Sequence, residues 1–253
     1  MAINNSIKVE VHFSPVQTDE MHLKDKNVVI VDVLRSSASI ATAFHHGAKE
    51  IIPVNNIESA VKISGSLFSD VTLRAGERNG KMIEGFNLGN SPREYTEKIV
   101  KGKSIILMTS NGSVAMVKGR YAKNLIVAGF INLSAVVSFL KQLQSDFIII
   151  CAGKENKFCI EDAVCAGRII TQLQHEIEKE LMFDDAGAAA VALHKNLGKN
   201  ILKMLKMSEH GKYLSDIGFV EDLNLCAAID SFHILPILSG NVLRVYKENS
   251  KRP

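Results

Sequence analysis

Val28-Val29-Ile30-Val31-Asp32-Val33-Leu34-Arg35-Ser36-Ser37 is the stretch that decides how this chain folds. From Val28 to Val33 the apolarity is continuous rather than alternating, which marks a strand covered on both faces, as where helices cover a parallel or mixed sheet. The strand delivers Asp32 and Arg35 at its carboxyl end, and Ser36 and Ser37 are suited to start the helical run Ser37 to His46. A carboxylate on an apolar strand is costly unless it is paired or bound to a cation. Asp32 is therefore either one half of a buried ion pair with Arg35 or a functional group, and the functional reading is favoured by what other strand ends carry.

The same continuous apolarity recurs in Glu50 to Val54, Ser104 to Met108, Leu125 to Ala128 and Phe147 to Cys151, while Ile7, Val9, Val11 and Phe13 alternate as in a half-buried first strand. Helical spacing falls between them, in Asn56 to Ser64, Pro92 to Val100, Leu133 to Leu143 and Ile160 to Leu181. The pattern is mostly helical from Phe183 to Ile229, Val242 to Tyr246 reads as a last strand, and Lys247 to Pro253 as a frayed tail. This alternation predicts an α/β layered fold with a mixed, largely parallel sheet. Val28 to Gly47 and Phe147 to Gly167 echo each other as strand, polar loop and small-residue helix. The echo is either a duplication, with α/β subdomains of about 1–120 and 121–246 inside a single domain spanning 1–253, or the ordinary likeness of such units.

Composition narrows the function classes. The 253 residues carry 30 Lys and Arg against 27 Asp and Glu, a net charge of +3, with 23% charged and 46% hydrophobic residues. Those values exclude disorder and a dedicated polyanion binder. Aromatic residues make up 6%, with no Trp, so stacking platforms for nucleic acid are poorly supplied. No run approaches a membrane span, and Met1 to Glu10 lacks the apolar core of a secretory leader, so the chain reads as soluble and cytoplasmic, with no nucleic-acid or membrane partner. Cys151, Cys159, Cys165 and Cys226 lack the paired spacing of a zinc site and read as free thiols.

In open α/β sheets, functional groups gather at the carboxyl ends of strands. Beyond Asp32 and Arg35, the run Val71 to Leu73 leads into Ala75-Gly76-Glu77-Arg78-Asn79-Gly80-Lys81, in which glycines allow close backbone approach and the cations can neutralise an anion. Gly85 to Pro92 offers Asn87 and Asn90 in what is otherwise a turn feeding a helix. Thr109-Ser110-Asn111-Gly112-Ser113 follows a strand and opens a helix, a setting that exposes N–H groups to an anion. Gly153-Lys154-Glu155-Asn156 and Glu161-Asp162 share the end of one further strand, with Glu161 read as a cap and Lys154 and Asp162 as more suggestive.

Carboxylates converging with cations and an N–H-rich loop suit Mg2+ and a phosphorylated anion. Common phosphoryl-transfer designs do not fit. Three residues rather than four separate Gly76 from Gly80, and Met82 stands where a nucleotide-binding loop has its hydroxyl. No Cys-x5-Arg loop is present, since Lys157, Cys165 and Thr171 follow Cys151, Cys159 and Cys165 at the required distance. Leu34 occupies the second place of an Asp-x-Asp pair.

The segments Val31 to Ser37, Gly76 to Gly80, Phe86 to Pro92, Thr109 to Gly112, Cys151-Ala152-Gly153, Glu161-Asp162 and Cys165-Ala166-Gly167 resemble, in order and approximate spacing, the 2-phosphosulfolactate phosphatase family. Ser208 to Leu214, Glu221-Asp222 and Asp230 to Pro236 extend the likeness over most of the chain. The resemblance implies a three-layer α/β/α fold and a Mg2+-dependent hydrolase that converts 2-phospho-3-sulfolactate to 3-sulfolactate and phosphate, a step of coenzyme M biosynthesis. One departure is Ser36-Ser37-Ala38, where a Thr-containing stretch is expected. On this basis Asp32, Arg35 and Glu77 are expected to be catalytic, and Asp32, Glu77 and Asp162 to hold the metal. Arg78, Asn87, Thr109, Ser110, Asn111, Gly112 and Lys154 are expected to hold a small phosphorylated sulfonic or hydroxy acid. A homo-oligomer is compatible with this reading. Rival functions are a transferase or isomerase acting on a phosphorylated small acid, which would be active only with a second substrate, and a non-catalytic anion sensor.

Overall fold

The computed structural model describes residues 6–66 and 71–247. The expected tail therefore lies, apart from Lys247, outside the described residues. In chain order the elements begin with β1 (Ser6–His12), β2 (Asn27–Val31), α1 (Ser36–His45), β3 (Glu50–Val54), α2 (Ile57–Ser66), β4 (Thr72–Arg78) and β5 (Lys81–Met82). They continue with α3 (Glu97–Val100), β6 (Ser104–Met108), α4 (Gly112–Lys118), β7 (Asn124–Ala128), α5 (Leu133–Leu143), β8 (Phe147–Cys151) and α6 (Ile160–Glu176). The remainder is β9 (Glu180–Phe183), α7 (Asp185–Leu197), α8 (Ile201–Met207), α9 (Glu209–Asp216), α10 (Val220–Ala227), β10 (Pro236–Ser239) and β11 (Val242–Val245).

The strands form one sheet in the order β5-β4-β6-β3-β11-β10-β7-β2-β8-β1-β9. Every residue of β2, β6, β7 and β8 is buried, as their continuous apolarity requires, and β1 buries only alternate residues, Ile7, Val9 and Val11. Within β4-β6-β3 and within β7-β2-β8-β1-β9 neighbours run parallel. The β10–β11 hairpin joins these blocks through antiparallel pairings on both sides. The sheet is thus mixed and mostly parallel, sandwiched in a three-layer α/β/α arrangement. β1 and β2, from the first 120 residues, pair with β7, β8 and β9 from the later part, so strands from both parts of the chain interleave.

Helices cover both faces. Val29, Val31 and Ile149 pack with α5 and α6 residues such as Val136, Leu140, Val164 and Ile169. On the opposite face, Val28, Ile30, Ile105 and Leu107 share one apolar cluster with Ile40 and Phe44 of α1 and Met116 of α4. The two parallel blocks therefore close on the same pair of helices. Four strands lie between β6 and β2, and a flat sheet would hold them roughly 24 Å apart at about 4.8 Å per strand. Yet Gly112, just beyond β6, abuts the Asp32 carboxylate just beyond β2. The sheet must twist and coil to bring these ends together.

Some expectations need correction. Pro92 to Val100 is not one helix but a 3-10 turn, Pro92–Glu94, and the single turn α3. Between them Tyr95 is fully buried and donates its hydroxyl to the Gly89 carbonyl, which breaks the helical path. The helical run into Leu181 ends at Glu176, and residues 180–183 pair with β1 as an edge strand. The mostly helical stretch is followed by an unforeseen strand, β10, whose start is marked only by Pro236.

The hairpin that joins the blocks rests on Leu243, fully buried and paired in register with Ile51 of β3. Leu243→Ala is expected to cost about 2–5 kcal/mol, as a large-to-small change in a core that cannot collapse freely. Urea denaturation monitored by circular dichroism checks it.

Candidate active site

Asp32, Ser36, Glu77, Asn79, Asn90, Ser110, Asn111, Lys154, His210 and Tyr213 line a cleft of about 220 Å³ where the ends of β2, β4, β6 and β8 meet α9. The larger groove of about 1020 Å³ along β10 and β11 is lined by cations such as Lys49, Arg120 and Arg244 and by no carboxylate among the described residues.

Asp32 lies at the bottom of the cleft, 5% exposed. The Ser36 backbone N–H donates to its Oδ1 at 3.3 Å. A Cβ at Gly112 would stand 2.2 Å from Asp32 Oδ2, so only glycine lets the start of α4 lie against this carboxylate. Burial pushes the Asp32 carboxyl above its ordinary value; the Ser36 hydrogen bonds and the charge of His210 oppose the rise, and nearby Glu77 adds to it.

Glu77 is held by the opposite wall. Its Oε2 accepts from the Gly80 N–H at 2.8 Å, and its Oε1 from the Ser110 N–H at 2.7 Å. The β4–β5 turn and the loop before α4 are thereby fixed to one carboxylate. Asn111 reaches the third loop, where its Oδ1 accepts from the Glu155 N–H at 3.0 Å. Lys154 lies 4.4 Å over the Tyr213 ring and 3.9 Å from the exposed carboxylate of Glu209, so its ammonium is lightly engaged.

Arg35 pairs with Asp222, not with Asp32. Its Nη1 meets Asp222 Oδ2 at 2.7 Å, its Nη2 donates to the Gly80 carbonyl at 2.6 Å, and its guanidinium lies 4.2 Å over the Phe219 ring. The other Asp222 oxygen accepts from the Ser91 hydroxyl at 2.7 Å. Arg35 lines the cleft, but its hydrogen bonds point into the wall.

The remaining expected residues are placed as follows. Thr109 is buried beneath the cleft, its Oγ1 accepting from the Ser113 N–H at 2.9 Å. Asp162 lies behind Asp32 and accepts the Val33 and Gly153 N–H groups at 2.9 and 3.0 Å. Its carboxyl is pushed well above the ordinary range by burial and by the charges of Glu161 and Asp32. Arg78 is exposed and does not line the cleft. Asn87 is also outside it, and its Oδ1 accepts from the Arg74 N–H.

Two residues of α9 without a role in the sequence reading complete the site, together with Glu161, read there as a cap, and Asn90, read there as a candidate substrate contact. His210 and Tyr213 of α9 form the wall facing Asp32 and Lys154, and His210 Nδ1 lies 3.2 Å from Glu161 Oε1. Glu161, read as a helix cap, is fully buried and braces this imidazole. Asn90 is buried, and among the described residues its Oδ1 finds no hydrogen-bond partner. The signal for the α9 residues lay in the stretch Ser208 to Leu214, which carries the family resemblance but no strand-end signature.

A small cleft at convergent strand ends, lined by buried carboxylates, a lysine and a histidine, defines an α/β enzyme that handles a small anion. The family model described as 2-phosphosulpholactate phosphatase matches residues 12–241. A protein of Caldanaerobacter subterraneus subsp. tengcongensis named "Probable 2-phosphosulfolactate phosphatase" is 39% identical over 91% of this chain and 95% of its own length. Proteins with the same name from Clostridium novyi and Thermotoga maritima are 35% and 37% identical, over 91% and 86% of this chain and 96% and 91% of theirs. The chain belongs to the 2-phosphosulfolactate phosphatase family, and its enzyme class is that of a phosphatase.

Asp222→Ala leaves the Arg35 guanidinium uncompensated inside the wall, and is expected to destabilise the protein by about 3–5 kcal/mol, read by denaturant unfolding. Asp32→Asn should act in the opposite direction. With its folded-state value raised above the ordinary 3.8, Asp32 penalises the folded protein increasingly as pH rises from that value through the folded one. In the presence of a chelator, Asp32→Asn is therefore expected to melt above the wild type at neutral pH, the two curves converging as pH falls toward the ordinary value.

Proposed function

We propose that this protein hydrolyses 2-phospho-3-sulfolactate to 3-sulfolactate and phosphate with the aid of Mg2+, and that Asp32 stands at the reacting centre. The observation that carries the reading is the cleft itself. Two carboxylates, Asp32 and Glu77, face a lightly engaged Lys154 and a braced His210 within a volume smaller than the roughly 300–1,000 Å³ typical of ligand pockets. A substrate bearing phosphate, sulfonate and carboxylate groups on a three-carbon frame is of that scale, and the relatives' names point the same way.

The donor set suits a hard cation. Asp32 and Glu77 offer carboxylate oxygens, and the orphaned Asn90 Oδ1 is a neutral oxygen donor buried in the same cleft. Bound there, Mg2+ would offset the charge on the transferring phosphoryl group and orient its oxygens. Asp162, whose oxygens each accept a backbone N–H, supports the loop that carries Asp32. Lys154 and the N–H groups that open α4, beyond the Ser110 N–H held by Glu77, bind the anionic ends of the substrate. Hydrolysis breaks the bond between the substrate's C2 oxygen and phosphorus, and the departing oxygen needs a proton. His210, fixed by Glu161 and close enough to influence Asp32, is the group assigned to supply it. A cytoplasmic setting accords with this chemistry.

The decisive experiment is phosphate release from 2-phospho-3-sulfolactate and other phosphorylated hydroxy acids, with and without Mg2+. Release with water as the only co-substrate is expected, whereas a requirement for a second substrate would favour a transferase. Tight binding without release would favour a sensor. Asp32→Asn should abolish turnover, and His210→Gln should lower kcat by about 10²–10⁴-fold with KM little changed. Lys154→Ala should lower kcat/KM by roughly 10–100-fold, corresponding to a charge-assisted hydrogen bond of about 1.5–3 kcal/mol, chiefly through KM. Acid-stable or borohydride-reducible phosphate on the protein during turnover separates attack by Asp32 from direct attack by water.

A further inference from the structure

A second chemical cluster shares no lining residue with the cleft. β1 sends Ile7, Val9 and Val11 into the core and places Glu10 and His12 on the opposite side, because successive strand residues alternate. The turn residues between Thr18 and Asn27 run beside that side and contribute His22. The His12 and His22 rings stack with centroids 6.0 Å apart and 17° between their planes. His12 Nε2 lies 2.5 Å from Glu10 Oε1, and His22 Nε2 lies 3.2 Å from each Glu10 oxygen. One ligand atom from each residue falls within 4.8 Å of the others.

We infer that Glu10, His12 and His22 form a binding site for a divalent transition cation of the zinc class, separate from the phosphatase cleft. Two imidazoles and one carboxylate are the donor set that Zn2+ and Co2+ prefer, and a poor one for Mg2+, which takes oxygen ligands. Tetrahedral bonds of about 2.0–2.1 Å place ligand atoms about 3.3 Å apart, close to the 3.2 Å between His22 and Glu10. The His12–Glu10 pair needs to open by about 0.8 Å to reach the same spacing. His12 Nδ1 lies 2.5 Å from the Oγ1 of Thr18, a fully buried residue, and this hydroxyl can accept the Nδ1 proton and leave the Nε2 lone pair for a metal. In the adjoining groove Asp146 and Asp184 offset Lys8 and Lys26. A fourth ligand would be water. Such a cation would fasten the Thr18 to Asn27 turn to β1, and its binding would stabilise the fold.

Titration with Co2+ in a Mg2+ background, followed by calorimetry and visible absorption, tests the site without reference to turnover. Cys159, Glu161 and His210 also bring three donors together, so the comparison between proteins carries the result rather than the total bound. Wild-type protein is expected to bind one equivalent more than His22→Ala or Glu10→Gln and to show a larger Co2+-dependent rise in Tm than either variant. His22 is largely exposed and Glu10→Gln preserves shape, so neither change threatens the fold. Thr18→Val, which removes only the outer hydrogen bond, should weaken the additional equivalent by roughly 10–100-fold. Equal stoichiometry and an equal rise in Tm across wild type, His22→Ala and Glu10→Gln would overturn the assignment.

Discussion

At 2% exposure the guanidinium of Arg35 has no solvent to share its charge, and the surrounding architecture answers that constraint. Asp222 from α10 neutralises it, the Gly80 carbonyl from the β4–β5 turn takes a second N–H, and the Phe219 ring covers its face. Ser91, at the head of the Pro92 turn, holds the far oxygen of Asp222. Segments separated by nearly two hundred positions in sequence are thus locked at one corner of the cleft. Desolvation offsets much of the attraction in so buried a pair, so what Arg35 and Asp222 provide is position more than stability. Gly80 in turn donates to Glu77, and so the same lock sets where that carboxylate stands.

Around this corner the fold holds charge where an apolar core would be more stable. Asp32 and Asp162 are both buried, and both carboxyls are raised chiefly by desolvation, with Glu77 adding to the rise at Asp32, and Glu161 and Asp32 adding to it at Asp162. The backbone N–H groups of Val33 and Gly153 and the imidazole of His210 offset part of this. Gly112 removes the Cβ that would otherwise fill the space beside Asp32. Structure is strained electrostatically just where the proposed chemistry needs a carboxylate with unsatisfied demand, which is the usual relation between stability and an active site.

Much of the scaffold was legible because its signal is local. Continuous apolar runs located β2, β3, β6, β7 and β8, and alternation located β1. β9 and β10 escaped because four-residue strands flanked by helix-compatible sequence carry too little periodicity, and the need to pair a sheet edge decides them. The site was partly legible for the same reason: Asp32, Ser110, Asn111 and Lys154 follow strands, Glu77 lies near the end of β4, and all five line the cleft. Arg78 differs from Glu77 by one position on β4, and one position turns a strand side chain to the other side. His210, Tyr213 and Asp222 sit on helices far along the chain, and nothing in their neighbourhood announces the strand ends they meet.

By itself the sequence determined the layered α/β class, the buried strands and the concentration of carboxylates, amides and cations at strand ends, because those follow from the periodicity of apolar residues and the cost of burying charge. Tertiary structure alone decided that Arg35 pairs with Asp222 instead of Asp32, that α9 supplies a wall of the cleft, and that two opposed parallel blocks joined by the β10–β11 hairpin coil until the ends of β2 and β6 touch. Partners in an ion pair and neighbours in a coiled sheet are set by through-space geometry, to which local sequence pattern is blind.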